Sequence, residues 1–194
     1  MDDLDSVQQS MLLLVGASPK GIIDSEMRIQ KLAFLFSKSL GDPDLDGDFD
    51  FEPYDLGPYS ENLAGAIEML GVQGLLTKDP QRNKYQVTGT GSAAANEVAS
   101  RDPARSEIAK EIVRCLGSLD PNDLAAAVYE LYPEYTTRSV IIDRLRARSG
   151  VDSLIIPLEK LETNKKSIIT SRRGRQMVVS SSKSEIQIEE KESK

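Results

Sequence analysis

Apolar residues recur at helical spacing through most of the chain. Over 2–16 they occupy one face of a predicted first helix, which the pair Ser18-Pro19 ends. The members of that face are Leu4, Val7, Met11, Leu14 and Val15. Asp24 or Ser25 caps a predicted second helix that ends at Gly41. Its apolar face consists of Ile29, Leu32, Ala33, Phe36 and Leu40, which predicts that this helix lies against a core.

The stretch 54–87 has the clearest organisation. Gly57-Pro58 breaks the chain, and Ser60 is a good N-cap with Glu61 at the positive end of the helix dipole. An apolar face follows at i, i+3, i+4 and i+7, formed by Leu63, Ala66, Ile67 and Leu70. Two glycines stop the helix, and the apolar ends of a polar loop, 75–76 and 85–87, predict an antiparallel hairpin. Helix, turn and hairpin together are the second half of a winged helix.

The second half of the chain reads as further helices. A break at 101–103 precedes one over 104–118, and Asp120-Pro121 opens the next. Thr136 or Thr137 is predicted to cap another, with Val140, Ile141 and Leu145 facing inward. The predicted fold is mainly α with a small β-hairpin. It has a winged-helix-like domain at 1–101, a helical extension packed on it at 102–162, and a flexible charged tail at 163–194, disordered because Ser, Lys and Glu dominate there.

The amino-acid composition excludes several kinds of catalytic and metal site. The chain has 194 residues, a net charge of −7, no histidine and one cysteine. Without histidine there is no Ser-His-Asp or Cys-His catalysis and no His-containing zinc site. A single cysteine excludes an intrachain disulfide, and Cys115 on a helix face is predicted to be a buried small hydrophobe. We expect a protein that is not an enzyme and takes no cofactor. The apolar run 11–15 is far too short for a signal or membrane segment, so we expect a cytoplasmic protein.

The acidic stretch 42–53 invites comparison with a calcium-binding EF-hand loop. Acidic residues occupy odd positions, with Gly47 at the sixth, but Pro53 stands where the final bidentate glutamate belongs. The run 49–54 alternates like a strand, so no exit helix is expected. The sequence therefore predicts a solvated acidic turn without a metal ion.

Three segments give a family resemblance. They are R-I-Q-K-L-A-F-L-F, then F-E-P-Y-D-L-G-P-Y-S-E-N-L after an acidic linker, and a closing G-L-L. On these residues 32–76 resembles the SocA-like antitoxin family, also called the Panacea domain, which is found in phage-associated and toxin–antitoxin proteins. The resemblance implies a non-enzymatic protein that binds a toxin or another protein. It implies no catalytic residue.

A winged helix often binds DNA, and the charged residues of the predicted recognition helix indicate whether this one does. A recognition helix presents cations and amides to DNA, whereas 60–70 carries two glutamates and no Lys or Arg. The remaining nucleic-acid candidates are Lys78, Arg82 and Lys84 in the hairpin loop and Arg144, Arg146 and Arg148 near 138–148. Such cations would make salt-sensitive contacts to phosphates, or they are simply solvated.

Protein binding is the function that we expect first. The candidate partner-binding residues are aromatic side chains, which give large, rigid contact area: Phe51, Tyr54, Tyr59, Tyr132 and Tyr135. Ordinary packing is the alternative for each of them. The acidic body fits a basic partner protein. The alternative function is a DNA-associated transcriptional regulator that contacts phosphates through the hairpin and the Arg-rich helix.

Overall fold

The structure is a computed structural model that describes residues 4–149, 165–170, 176–182 and 185–190. The described chain is mainly helical, with short antiparallel sheets. None of its helices is both long enough and apolar enough to span a bilayer, within the described residues.

Helices α1 (Ser6–Ala17) and α2 (Glu26–Leu40) confirm the two predicted N-terminal helices. Helix α1 begins later than predicted because Asp5 forms a capping box with Gln8, in which the Asp5 side chain accepts from the Gln8 N–H. Ser25 caps α2, and Gly41 ends it in the left-handed conformation with φ of 61°. The predicted apolar faces are buried except at their ends, where Leu4, which precedes α1, and Leu40 are partly buried.

The acidic stretch forms a helix rather than the predicted turn. Helix α3 (Pro43–Phe49) begins with proline at its first position, and the Asp42 side chain accepts from two backbone N–H groups. Leu45 and Phe49, spaced i and i+4, are its buried residues. Strand β2 (Glu52–Tyr54) therefore starts later than the predicted strand at 49–54, and it pairs with β3 (Gly57–Tyr59).

The predicted helix and hairpin of 54–87 are confirmed as α4 (Glu61–Val72), β4 (Leu76–Asp79) and β5 (Lys84–Val87). The Ser60 side chain accepts from the Leu63 N–H at 2.9 Å, as the N-cap prediction requires. A third strand, β1 (Ile22–Asp24), pairs with β5 and places Ile23 opposite Tyr85. The sheet order is β1-β5-β4. Strand β1 is not predicted from the sequence, because three residues are too few to show an alternation of apolar and polar positions.

Four more helices follow in the described residues up to 149. They are α5 (Gly89–Arg101), α6 (Pro103–Leu116), α7 (Pro121–Leu131) and α8 (Ile142–Ser149), with a 3₁₀ turn at Pro133–Thr136. The predicted cap at Thr136 or Thr137 is wrong, because α8 starts only at Ile142. Val140 is 72% exposed rather than inward, and its N–H donates to the Asp55 carbonyl at 2.9 Å.

One hydrophobic core runs through the helices on both sides of residue 102. Helix α2 packs against α6 and α7, and α1 against α4, α5 and α6. Arg28 of α2 is buried, and its Nη1 donates to the carbonyls of Gly117 and Leu119 at 2.8 and 2.6 Å. Cys115 is buried as predicted. The two halves of the described chain up to 149 are therefore joined by shared packing.

In the stretch predicted to be a disordered tail, the structure describes three strands. Strands β6 (Lys165–Thr170), β7 (Gln176–Ser182) and β8 (Glu185–Glu190) pair antiparallel in the order β6-β7-β8. Val179 lies opposite Ser167 and Ile188 in the register. This departs from the prediction of disorder, which rested on the Ser, Lys and Glu content. The β-branched Ile, Val and Thr residues of these segments favour strands. The rest of 150–194 lies outside the described residues.

Candidate functional site

Two polar side chains on the buried face of α2 hold β3 and the residue that follows it, Ser60, which caps α4. The Gln30 side chain accepts from the Ser60 N–H at 2.9 Å and donates to the Ser60 carbonyl at 3.1 Å. Lys31 Nζ donates to the Pro58 carbonyl at 2.9 Å. All four residues are buried. The segments R-I-Q-K-L and G-P-Y-S, which carry the family resemblance, are therefore in direct contact.

Lys31 is an unusual cation, because it is only 2% exposed. Burial lowers the pKa of its ammonium from 10.5 to about 7. Near neutral pH the side chain is therefore divided between charged and neutral forms, and both forms donate a hydrogen bond. Its contact with Pro58 gives Lys31 a positioning role for β3.

Gly57 connects β3 to the second half of the chain. Its φ of 94° lies in the region that favours glycine, and a Cβ there would stand 2.5 Å from Cε1 of Tyr129 in α7. The Tyr129 hydroxyl donates to Ser139 Oγ at 2.7 Å. Strand β3 therefore lies so close to Lys31 of α2 and Tyr129 of α7 that a side chain at residue 57 has no room.

Three of the five aromatic residues predicted to bind a partner pack on the core. Phe51, Tyr132 and Tyr135 surround the buried ring of Phe34, with centroids 5.2, 4.9 and 4.7 Å from it in edge-to-face geometry. The Tyr135 hydroxyl donates to the Phe51 carbonyl at 3.3 Å, and burial raises the pKa of Tyr135 to about 12. These contacts give the three residues a packing role.

The other two aromatic residues lie together at the surface. The rings of Tyr54 and Tyr59 are 5.3 Å apart, and Tyr54 is 46% exposed. The Arg138 guanidinium lies 5.3 Å from the Tyr54 centroid. Exposed Leu56 follows Tyr54 closely in the chain, and the hydrogen bond from the Val140 N–H to the Asp55 carbonyl brings exposed Val140 next to this segment. Burial, followed by nearby carboxylates, raises the pKa of Tyr59.

Helix α4 presents a solvent face without a cation. Glu61, Gly65, Glu68 and Val72 recur at i, i+4, i+7 and i+11, and all four are exposed. Met69 beside them is 48% exposed and Val72 is 82% exposed. The helix contains no Lys or Arg. A cleft of about 300 Å³ separates this helix from β4, and Tyr59 lines it. We call Tyr54, Tyr59 and the exposed residues of α4 the α4 surface.

The basic candidates lie at two places. Lys78 Nζ lies 5.1 Å from the centroid of the Tyr85 ring, Arg82 Nε lies 3.8 Å from Asp79 Oδ2, and Lys84 is exposed. Arg144 in α8 donates to the Asn122 side chain at 2.9 Å. The side chains of Arg146 and Arg148 lie outside the described residues.

The carboxylates of the acidic stretch have contacts within the fold. Asp42 caps α3, and Asp46 accepts from the Lys38 ammonium and from the Ser37 hydroxyl. Asp48 accepts from the Ser6 hydroxyl. In the described part of the chain, no three His, Cys, Asp or Glu side chains are grouped to hold a metal ion.

Sequence reasoning missed Gln30, Lys31, Tyr129 and Ser139. The signal available for the first two was a polar pair in an otherwise apolar stretch of α2. No local signal marks the other two, because their role depends on contacts made across the fold. The chain matches no protein-family model and no curated protein. Membership of the SocA-like antitoxin family therefore stays a prediction.

Proposed function

We propose that the chain is a non-enzymatic protein-interaction module on a winged-helix-like scaffold, and that its partner is a basic protein. The scaffold is supported by the order α1, β1, α2, α4, β4, β5 and by the sheet order β1-β5-β4. Helix α3 and the β2–β3 hairpin are then an insertion between α2 and α4. In this arrangement α4 takes the place of the helix that DNA-binding winged helices insert into the major groove.

The observation that carries the proposal is the chemistry of the α4 surface. Glu61 and Glu68 would face DNA phosphates at close range, and no cation on α4 offsets them. Exposed Met69, Val72 and Tyr54 instead supply the apolar and aromatic contact area that protein interfaces use. This favours a protein over a nucleic acid as the partner.

The resemblance to SocA-like antitoxins supports the same conclusion. An antitoxin-like role requires a partner protein, and the net charge of −7 suits a partner that carries positive charge, such as a toxin directed at RNA or DNA. Electrostatic attraction of this kind speeds association and weakens as salt is added.

The test is capture of a stoichiometric protein partner from the native host by the full chain. We expect Val72→Gln and Tyr54→Ala to weaken capture, because each removes exposed contact area without changing the core. The matched control is Ala93→Gln, which places the same polar side chain at an exposed position on α5. Melting curves of all variants establish that folding is unchanged. Recovery of a specific DNA fragment alone, or capture indifferent to both α4-surface variants, contradicts the proposal.

A DNA-associated regulator is the second candidate. It is favoured by exposed Lys78, Arg82 and Lys84 at the β4–β5 hairpin, which with Asp79 leave a local excess of positive charge. Titrations with DNA duplexes at two salt concentrations test it. The logarithm of the binding constant falls linearly with the logarithm of the salt concentration, with a slope of about −0.9 for each phosphate that the protein neutralises. Sequence-indifferent, salt-sensitive binding that is lost in Arg82→Ala and Lys84→Ala would support phosphate contacts by the hairpin. Tight binding of one duplex that survives both changes would exclude that mode.

A further inference from the structure

The cleft between α4 and β4 has an apolar floor and an aromatic wall. Ile67, Leu76 and Tyr85 are its buried residues, and half-buried Tyr59 forms one side. At about 300 Å³ it stands at the lower end of the size range of ligand pockets. That size suits one long side chain better than a cofactor.

Carboxylates line this cleft from two elements. Glu26 lies in the first turn of α2 and Glu68 on α4. The Tyr85 hydroxyl donates to Glu26 Oε2 at 3.5 Å. After the effect of burial, Glu26, Glu61 and Glu68 each raise the pKa of Tyr59, so all three act on the same ring.

The cleft already holds one cation in a defined geometry. The Lys78 ammonium lies over the Tyr85 ring, 5.1 Å from its centroid. The interaction with Tyr85, followed by Glu26 and Glu68, raises the pKa of Lys78. The cleft is lined by two carboxylates, Glu26 and Glu68, and one ammonium, Lys78, so its lining carries an excess of negative charge.

We infer that this cleft binds an arginine side chain of the partner protein, with Glu26 and Glu68 as acceptors and the Tyr59 ring as a stacking surface. The inference rests on the proposed function for its source of arginine. A guanidinium carries five donors in a plane, stacks on aromatic faces and is less strongly hydrated than an ammonium, so it fits an acidic cleft with an aromatic wall. A phosphate is repelled by the same carboxylates.

The first experiment uses the full chain and the peptide acetyl-Gly-Arg-Gly-amide, titrated while backbone amide resonances are recorded by NMR. We expect saturable shifts at amides around the cleft, such as those of Ala64, Gly71 and Thr77. The peptide with citrulline in place of arginine has nearly the same shape without the charge, and it should not shift them. Glu68→Gln and Glu26→Gln should each weaken binding by about threefold to fivefold, the upper part of the range for an exposed ion pair.

The control variant is Asp44→Asn, which removes one exposed negative charge on α3, away from the cleft, and should leave affinity unchanged. Equal shifts from the arginine and citrulline peptides, or equal losses in Asp44→Asn and Glu68→Gln, would overturn the assignment of the cleft. Partner capture that persists in Glu26→Gln and Glu68→Gln would also overturn it while leaving the protein-interaction function intact. Glu68-dependent peptide binding without any captured partner would support the cleft and count against the proposed function.

Discussion

Lys31 makes the stability of the fold depend on pH above neutrality. Its pKa is about 7 in the folded chain and 10.5 at the ordinary value expected after unfolding. Between these values the unfolded chain binds more protons than the folded chain, so the free energy of unfolding rises with pH. The destabilisation is complete below about pH 7 and disappears above the unfolded pKa.

The magnitude follows from the size of this window. Each pH unit well inside it changes the free energy of unfolding by about 1.4 kcal/mol. With half-protonation of Lys31 near pH 7 included, the rise from pH 7 to pH 9 is about 2 kcal/mol, and the destabilisation still present at pH 7 is about 4 kcal/mol.

Substitution of Lys31 by methionine isolates this effect. Methionine keeps a long flexible side chain and removes the titrating amine. The lost hydrogen bond leaves the Pro58 carbonyl without its lysine donor, which costs about 1–3 kcal/mol, against the roughly 4 kcal/mol of burial cost removed at pH 7. We expect Lys31→Met to be more stable than the original chain at pH 7 and about equal to it near pH 9.

Urea unfolding followed by circular dichroism at pH 7, 8 and 9 measures this. The series stops at pH 9 because tyrosines ionise above that range with an ordinary pKa of 10.0. Lys110→Met, at a lysine that is exposed and paired with Glu107, is the matched control and should retain the rise with pH. A flat profile in the original chain, or the same slope in Lys31→Met, would refute the reasoning that burial of this amine sets the pH dependence.

Three further predictions concern the same framework and the acidic stretch. Gly57→Ala should destabilise the chain by about 1–3 kcal/mol in urea unfolding, because its φ is 94° and the space is filled, whereas Gly65→Ala, in an open exposed helical position, should stabilise it by about 0.5–1 kcal/mol. Gln30→Leu should cost roughly 2–4 kcal/mol by the same measurement, since two buried backbone groups at the start of α4 lose their side-chain partner. Millimolar Ca²⁺ should leave the melting temperature unchanged, and a rise that disappears in Asp44→Asn would show that 42–53 binds the ion.

The main helices and the hairpin could be predicted from the sequence because their signals are local. Ser60 caps α4 through a bond to a residue three positions away, and the apolar faces of α1, α2 and α4 repeat within one or two turns. The acidic face of α4 was equally visible, since a helix without Lys or Arg stays so in any fold. The main argument for a protein rather than a DNA partner therefore needs only the sequence.

Tertiary structure alone decided how these elements meet. Strand β1 is a strand because Ile23 pairs with Tyr85, which is distant in sequence. In the sequence Lys31 looks like any other helical lysine. Only the fold shows that its ammonium is buried and donates to the Pro58 carbonyl. Of the five aromatic candidates, three pack around Phe34 and two lie at the surface, although all five are similar residue types. Burial and pairing depend on residues far along the chain, whereas caps and periodicity depend on neighbours, and only the latter are written locally in the sequence.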